Sequence, residues 1–468
     1  MNLRKALHNL YIAALTAGCM TILSGCTIIA SPDDLFCLPK LPEEYMDLEQ
    51  EIAGLVNQGY EYAAPTGGDN IQLVQMVDLD SDGADEAIVF LRKPDDLKPQ
   101  KVCVFRKRNE SFQTVATIEE SAASISRVDY RDMNGDGNLE IIVGWQMMNV
   151  QDANSSLEPN NTERSLTRVV SVYNTDRYAC EKVMETSYNQ YILTDMDENG
   201  APEMIVVAGG GTNHCHATSY QWDMGVMERR YRAPLSVPPA MLNNITVGYL
   251  SDHVQGLFVT GVIDETTLVT DILTLDENGL VNCTMDKQSG ISRLIYRNSG
   301  IEAEDIDRDG TLELPIPYEL KKQNPDDPTY WGITWTSFDC KGNGKAMGHT
   351  YHNPKDGWFL VLPESWKNAI GITDVSSTTG ERAVTFGVFQ RGKEAPLDVV
   401  TIYTETGDSR EYKASKGNRF VLLRQSSTIY AAEFLDSGKD WSGNMTPEAL
   451  KDGFHLIRSG WSFNEMSE

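Results

Sequence analysis

The sequence predicts a mainly β chain, a β-propeller of about five four-stranded blades followed by a small α+β domain. Three observations predict it. Four acidic turns share one pattern, short β-branched runs follow them, and the distances between them suit four strands per unit. The length of 468 residues exceeds one ordinary core, and a 41% hydrophobic content is enough to build several. Acidic side chains outnumber basic ones 68 to 40, for a formal charge of −28. Such a surface repels phosphate backbones, so no nucleic-acid partner is expected, whereas divalent cations are natural ones.

At the start of the chain, Arg4 and Lys5 precede a mostly apolar run over residues 10–23, the form of a secretion signal spanning 1–25. The run ends in Leu23-Ser24-Gly25-Cys26, which resembles the bacterial lipobox. That resemblance implies cleavage before Cys26, lipidation of its thiol and attachment to the membrane through the lipid anchor. The expected location is the extracytoplasmic face of the bacterial cell membrane. No later stretch reaches the roughly 20 apolar residues that a spanning helix needs. Residues 26–41 read as a tether. Within 42–60, Tyr45, Leu48, Ile52, Leu55 and Val56 fall at helical spacing, with Gly59 just beyond, which predicts one amphipathic helix.

The acidic turns begin at Asp78, Asp132, Asp195 and Asp305. Oxygen side chains occupy positions 1, 3 and 5, glycine position 6 and glutamate position 9 in every copy. The candidate ligands are Asp78, Asp80, Asp82 and Glu86; Asp132, Asn134, Asp136 and Glu140; Asp195, Asp197, Asn199 and Glu203; and Asp305, Asp307, Asp309 and Glu313. Hard cations such as calcium take six to eight oxygens, and alternating Asp or Asn in a tight loop directs several of them to one point. Position 12 is Val89, Val143, Val206 or Ile316, which excludes an EF-hand with its bidentate glutamate there. Runs such as Ala87–Leu91 and Ile141–Val143 read as strands buried on both faces. After the fourth loop, Pro315 and Pro317 cannot donate to a central ladder.

The first aspartates are 54, 63 and 110 residues apart, and the last gap accommodates a unit that kept its strand near Gly256–Val259 but lost its ligands. These loops and the strands after them resemble the FG-GAP and VCBS repeats of integrin-α-type β-propellers. The resemblance implies that the sixteen residues above bind calcium, within a propeller spanning 61–348. It lacks a clear Phe-Gly/Gly-Ala-Pro signature, and five units are fewer than the seven usual in integrins.

Residues 349–468 are expected to form the C-terminal α+β domain, with strands near 383–389, 398–404, 419–423 and 429–433. Thr446 and Pro447 signal a helix that carries Leu450, Phe454 and Ile457. The phrase from Gly357 to Trp366 resembles the opening of PsbP-like domains, while Trp358, Phe359 and Trp366 can equally be core. The six cysteines beyond Cys26 form no CxxC pair, which leaves zinc ribbons and thioredoxin-like chemistry unsupported. His214-Cys215-His216 is the sharpest histidine cluster, either a metal site or a surface hairpin.

No Gly-x-Ser-x-Gly elbow, His-Glu-x-x-His helix or phosphate-binding glycine loop is present, so the expectation is a non-enzyme without catalytic residues. The expected function is calcium-rigidified binding to a protein or glycan partner. The alternatives are an extracellular hydrolase or lyase acting on polymers through the propeller pocket, and an accessory subunit of a surface complex.

Overall fold

The computed structural model describes residues 45–108, 111–149, 165–176, 180–209, 215–393 and 395–457. The signal segment, Cys26, the tether, Cys37 and His214 lie outside the described residues. Helix α1 (Met46–Asn57) opens the described chain. Sheet one follows, with β1 (Glu61–Tyr62), β2 (Val74–Val77), β3 (Glu86–Arg92), β4 (Gln100–Arg108) and β5 (Ser111–Glu120). Both β1 and β2 pair with the same edge of β3, so its inner strand is split in two.

Sheet two contains β6 (Ser124–Arg131), β7 (Glu140–Asn149), β8 (Ser165–Asn174) and β9 (Glu181–Ser187). In sheet three the strands are β10 (Gln190–Thr194), β11 (Glu203–Ala208), β12 (His216–Asp223) and β13 (Val226–Pro234). Sheet four has β14 (Leu242–Tyr249), β15 (Gln255–Asp264) and β16 (Thr267–Asp276). Its outer edge is shared by β17 (Gly279–Asn282) and β18 (Leu294–Arg297). All these pairings are antiparallel between chain neighbours or near neighbours, the meander expected of propeller blades.

Sheet five runs β19 (Leu314–Glu319), β20 (Trp331–Phe338), β21 (Gly344–Asn353) and β22 (Trp358–Leu362). As the prolines require, β19 lies on an edge and pairs only with β20. Sheet six comprises β23 (Ile370–Thr378), β24 (Glu381–Val388), β25 (Leu397–Thr406), β26 (Phe420–Arg424) and β27 (Thr428–Phe434), with β27 between β25 and β26. Helix α2 (Arg410–Ala414) links β25 to β26. Helix α3 (Pro447–Asp452) leads into β28 (Phe454–Leu456), which returns to pair with β22.

The chain is thus mainly β and propeller-like, with five sheets between residues 61 and 362. Each second strand is sandwiched, which explains its unbroken apolar run: Ala87–Leu91 and Ile205–Val207 are almost fully buried. Successive sheets share successive cores. Phe90 and Trp145 join sheets one and two, Val172 and Met204 join two and three, and Leu257 and Ile205 join three and four. Phe258 and Phe338 join four and five, and Trp358 and Phe386 join five and six. Helix α1 covers the other face of sheet one by placing Leu48 and Ile52 against Ala87, Val89 and Phe105. Each such fully buried side chain contributes about 1.5–3 kcal/mol. Helix α2 covers the far face of sheet six at Ala414, Ile429 and Ala431.

Two expectations are corrected. The boundary at 348/349 falls inside β21, because β22, β28 and the Trp358 run complete sheet five before sheet six begins. The last helix stops at Asp452. Thr446 does cap it, accepting the Ala449 N–H at 3.1 Å, but Phe454 beyond Gly453 is in a strand opposite Leu360. The unit that lost its ligands is sheet four, where residues 250–254 form the turn between β14 and β15.

Sheet five also sets an acid limit on stability. His352 stacks on Phe359 with ring centroids 5.1 Å apart, and burial pushes its pKa down to about 4; burial lowers His349 and His455 as well. At these histidines the unfolded chain therefore takes up protons first, and their contribution to stability is lost as the pH falls from about 6.5 towards 4. For His352 the full loss is on the order of 3 kcal/mol. Urea unfolding of His352→Gln across this window is expected to show a shallower pH slope than the parent chain; equal slopes would count against the assignment.

Candidate functional site

In sheets one to three the acidic turn connects the first strand to the second, so the fold places each at the same relative position. The fourth lacks a full first strand and is closed by a bridge between Glu304 and Glu313. Position 6 is left-handed in all four, with φ between 87° and 93°, which a glycine adopts without the cost of a Cβ. The first aspartate accepts the Gly83, Gly137, Gly200 or Gly310 N–H at 2.8–3.0 Å. The ninth-position glutamate is at most 1% exposed and turns back to accept the N–H of loop position 2. Those bonds run from Leu79 to Glu86 (3.0 Å), Met133 to Glu140 (2.7 Å), Met196 to Glu203 (2.8 Å) and Ile306 to Glu313 (3.1 Å).

Three groups bring carboxylate oxygens within 4.8 Å of one another: Asp78, Asp80 and Glu86; Asp195, Asp197 and Glu203; and Asp305, Asp307 and Glu313. These three clusters could hold a metal ion. The donor set fits a hard cation, because Glu86 Oε1, Asp305 Oδ1 and Glu313 Oε1 are buried without a hydrogen-bond donor. Burial pushes Glu86 and Glu140 up to about 7 and Glu313 to about 8, and raises Glu203. A bound cation would oppose that shift by favouring the charged form.

The four loops are not equivalent. In the second, Asn134 Nδ2 donates to Asp136 Oδ2 (3.1 Å) and Glu140 Oε1 (3.0 Å), so an amide already satisfies oxygens that the pattern assigns to an ion. In the third, Gln221 Nε2 donates to Glu203 Oε1 at 2.9 Å. The first holds a guanidinium: Arg106, from β4, pairs with Asp80 at 2.7 Å and with Asp82, and lies 3.6 Å from Glu86 Oε1. Arg106 has no signal in the local sequence, because the register of β4 against β3 delivers it. Arg106→Ala is therefore expected to raise the first loop's calcium affinity roughly tenfold by removing a competing cation. Calorimetric titration of both chains tests this, and an unchanged isotherm would contradict it.

Beside the first strands of sheets two to four and the loop between β1 and β2 lies a pocket of about 610 Å³, which also takes in Gln146 of β7 and Arg168 of β8. Residues 66–68, Ser126 and Arg127 of β6, Gln190–Ile192, and Asn244 and Ile245 of β14 contribute to it. Among its described lining residues there is no carboxylate and no histidine. A second cavity, about 720 Å³, sits beside sheet five, where the Arg297 guanidinium stacks 4.6 Å from the Trp331 ring centroid near Glu302 and His352. His216 starts β12 beside the buried Cys215, and all five cysteines in the described residues are unbridged.

No protein-family model matches the chain, and no curated protein matches it. Among solved structures, a protein from Lactobacillus plantarum superposes at 8% identity and a TM-score of 0.24, covering 71% of this chain and 85% of the other. An exo-β-1,3-galactanase from Phanerochaete chrysosporium, solved with galactose, gives 9% identity and 0.25, covering 77% and 81%. A hypothetical protein from Leishmania major gives 11% and 0.19, covering 73% and 90%. At these values the fold assignment rests on the sheet topology of the chain itself.

Proposed function

We propose that the chain is a lipid-anchored, extracytoplasmic calcium-binding protein that uses its propeller-like body to bind a protein or glycan partner. The observation that carries this reading is the inner pocket. Strands of three sheets and the loop between β1 and β2 line it, and none of its described lining residues is a carboxylate or an imidazole that could act as general acid or base. Binding needs convergent polar groups and a fixed scaffold, and both are present.

Calcium is the cation that the oxygen-only loops suit best. Asp195, Asp197 and Glu203, and Asp305, Asp307 and Glu313, would hold it, and it would supply charge compensation for buried carboxylates where adjacent sheets meet. The FG-GAP/VCBS resemblance supports the same assignment, and the Leu23–Cys26 tetrapeptide supports the anchor. An extracellular hydrolase or lyase is the rival, favoured by Glu302 and His352 in the larger cavity.

A pull-down from the native cell surface with and without calcium tests the reading. The expected result is a partner recovered only with calcium, and a Cys26→Ser chain released from the membrane fraction. Recovery of no partner, together with cleavage of a surface polymer by the purified chain, would replace binding by catalysis.

A further inference from the structure

The inner pocket carries chemistry that narrows its ligand, an inference that rests on the binding reading above. Although the whole chain is strongly acidic, the charged side chains among the described lining residues of this pocket are Arg127 and Arg168. Arg127 is locked in place: its Nε lies 2.7 Å from Asp129 Oδ2, and its guanidinium carbon is 4.6 Å from the Tyr191 ring centroid. The Tyr191 hydroxyl donates to the same Asp129 at 2.6 Å. Gly68, at φ 80°, makes room for this arginine, since a Cβ there would come within 2.8 Å of Arg127 Cγ. Asp129 balances the Arg127 charge.

Arg168 is different. It is exposed, its guanidinium donates to the Asn189 carbonyl at 3.4 Å, and no carboxylate pairs with it among the described residues. Among the described residues the pocket mouth therefore carries one positive charge without a carboxylate partner.

Four planar amides complete the lining, each with one half engaged by the protein. Gln146 Oε1 accepts from Ser124 at 2.9 Å, and Asn189 Oδ1 accepts from the Gly209 N–H at 3.1 Å, which leaves a donor on each. Gln190 Nε2 donates to the Asn243 carbonyl at 3.3 Å, and Asn244 Nδ2 donates to Thr246 at 3.2 Å, which leaves an acceptor on each. Fixed donors beside fixed acceptors match neighbouring hydroxyls, which both give and take hydrogen bonds. A bare phosphate only accepts hydrogen bonds and would engage the donors alone.

We propose that this pocket binds an acidic oligosaccharide, with a uronate carboxylate on Arg168 and ring hydroxyls on the amides of Gln146, Asn189, Gln190 and Asn244. The test is calorimetric titration of the calcium-loaded mature chain with β-1,4-linked triglucuronate and with cellotriose, its neutral counterpart. Triglucuronate is expected to bind at least about tenfold more tightly than cellotriose, with an affinity that falls as salt rises. Arg168→Gln should erase that tenfold preference, while an unchanged melting temperature shows that the variant folds. Equal affinity for the two sugars, or an Arg168→Gln chain that binds triglucuronate like the parent, overturns the proposal. Binding of a hexaglutamate peptide in place of triglucuronate also overturns it but leaves the binding reading standing. If neither probe binds and the pull-down recovers no partner, both fall.

Discussion

Chelating calcium is expected to lower the melting temperature of the purified chain by more than a few degrees, and adding the ion back is expected to restore it. An ion that binds only the folded state contributes about 2.7 kcal/mol per site at a hundredfold excess over its dissociation constant. The loops are poised for such a term. Glu86, Glu140 and Glu313 are buried, and without a cation burial holds their pKa values at about 7 to 8, far above an ordinary carboxylate. The fourth loop should respond most, because Asp305 Oδ1 and Glu313 Oε1 lack any hydrogen-bond donor, whereas Arg106 already serves the first. In the Glu313→Ala chain the calcium-dependent part of the melting temperature should shrink. Identical melting with chelator and with excess calcium would remove the ion from the account.

Truncating Trp366 to alanine is expected to destabilise the chain by about 3–5 kcal/mol, the cost of emptying a large buried aromatic site. Trp366 is fully buried in the core shared by sheets five and six, with Phe386 and Trp441 at centroid distances of 6.0 and 5.9 Å. Its indole N–H donates to the Gly443 carbonyl at 2.7 Å, so truncation also strips a partner from that oxygen. Denaturant unfolding followed by tryptophan fluorescence reads the loss, with Trp366→Phe as the milder comparison. A cost below about 1 kcal/mol would mean that the two sheets do not depend on this side chain.

The acidic turns were legible because their pattern is complete within nine consecutive residues, and the second strands because sandwiching demands unbroken apolar runs such as Ala87–Leu91. Helix α1 was legible because Leu48 and Ile52 stand four residues apart on one buried face. Strand β23 was not, because from Asp374 to Thr378 it is exposed and, apart from Val375, polar, and resembles a loop. The Trp358–Leu362 strand looked like the start of a new domain, since a strand packed between two sheets carries no mark of which sheet it pairs with. Arg106, Arg127 and Arg168 escaped for a deeper reason. Register and sheet packing, not local pattern, set what they face.

The most direct measurement is a crystal structure of the purified chain grown in calcium, with anomalous scattering collected at long wavelength. Peaks are expected within Asp195, Asp197 and Glu203 and within Asp305, Asp307 and Glu313, with the glutamate oxygens turned inward. A map without peaks there, in which those carboxylates face solvent, would contradict the calcium assignment.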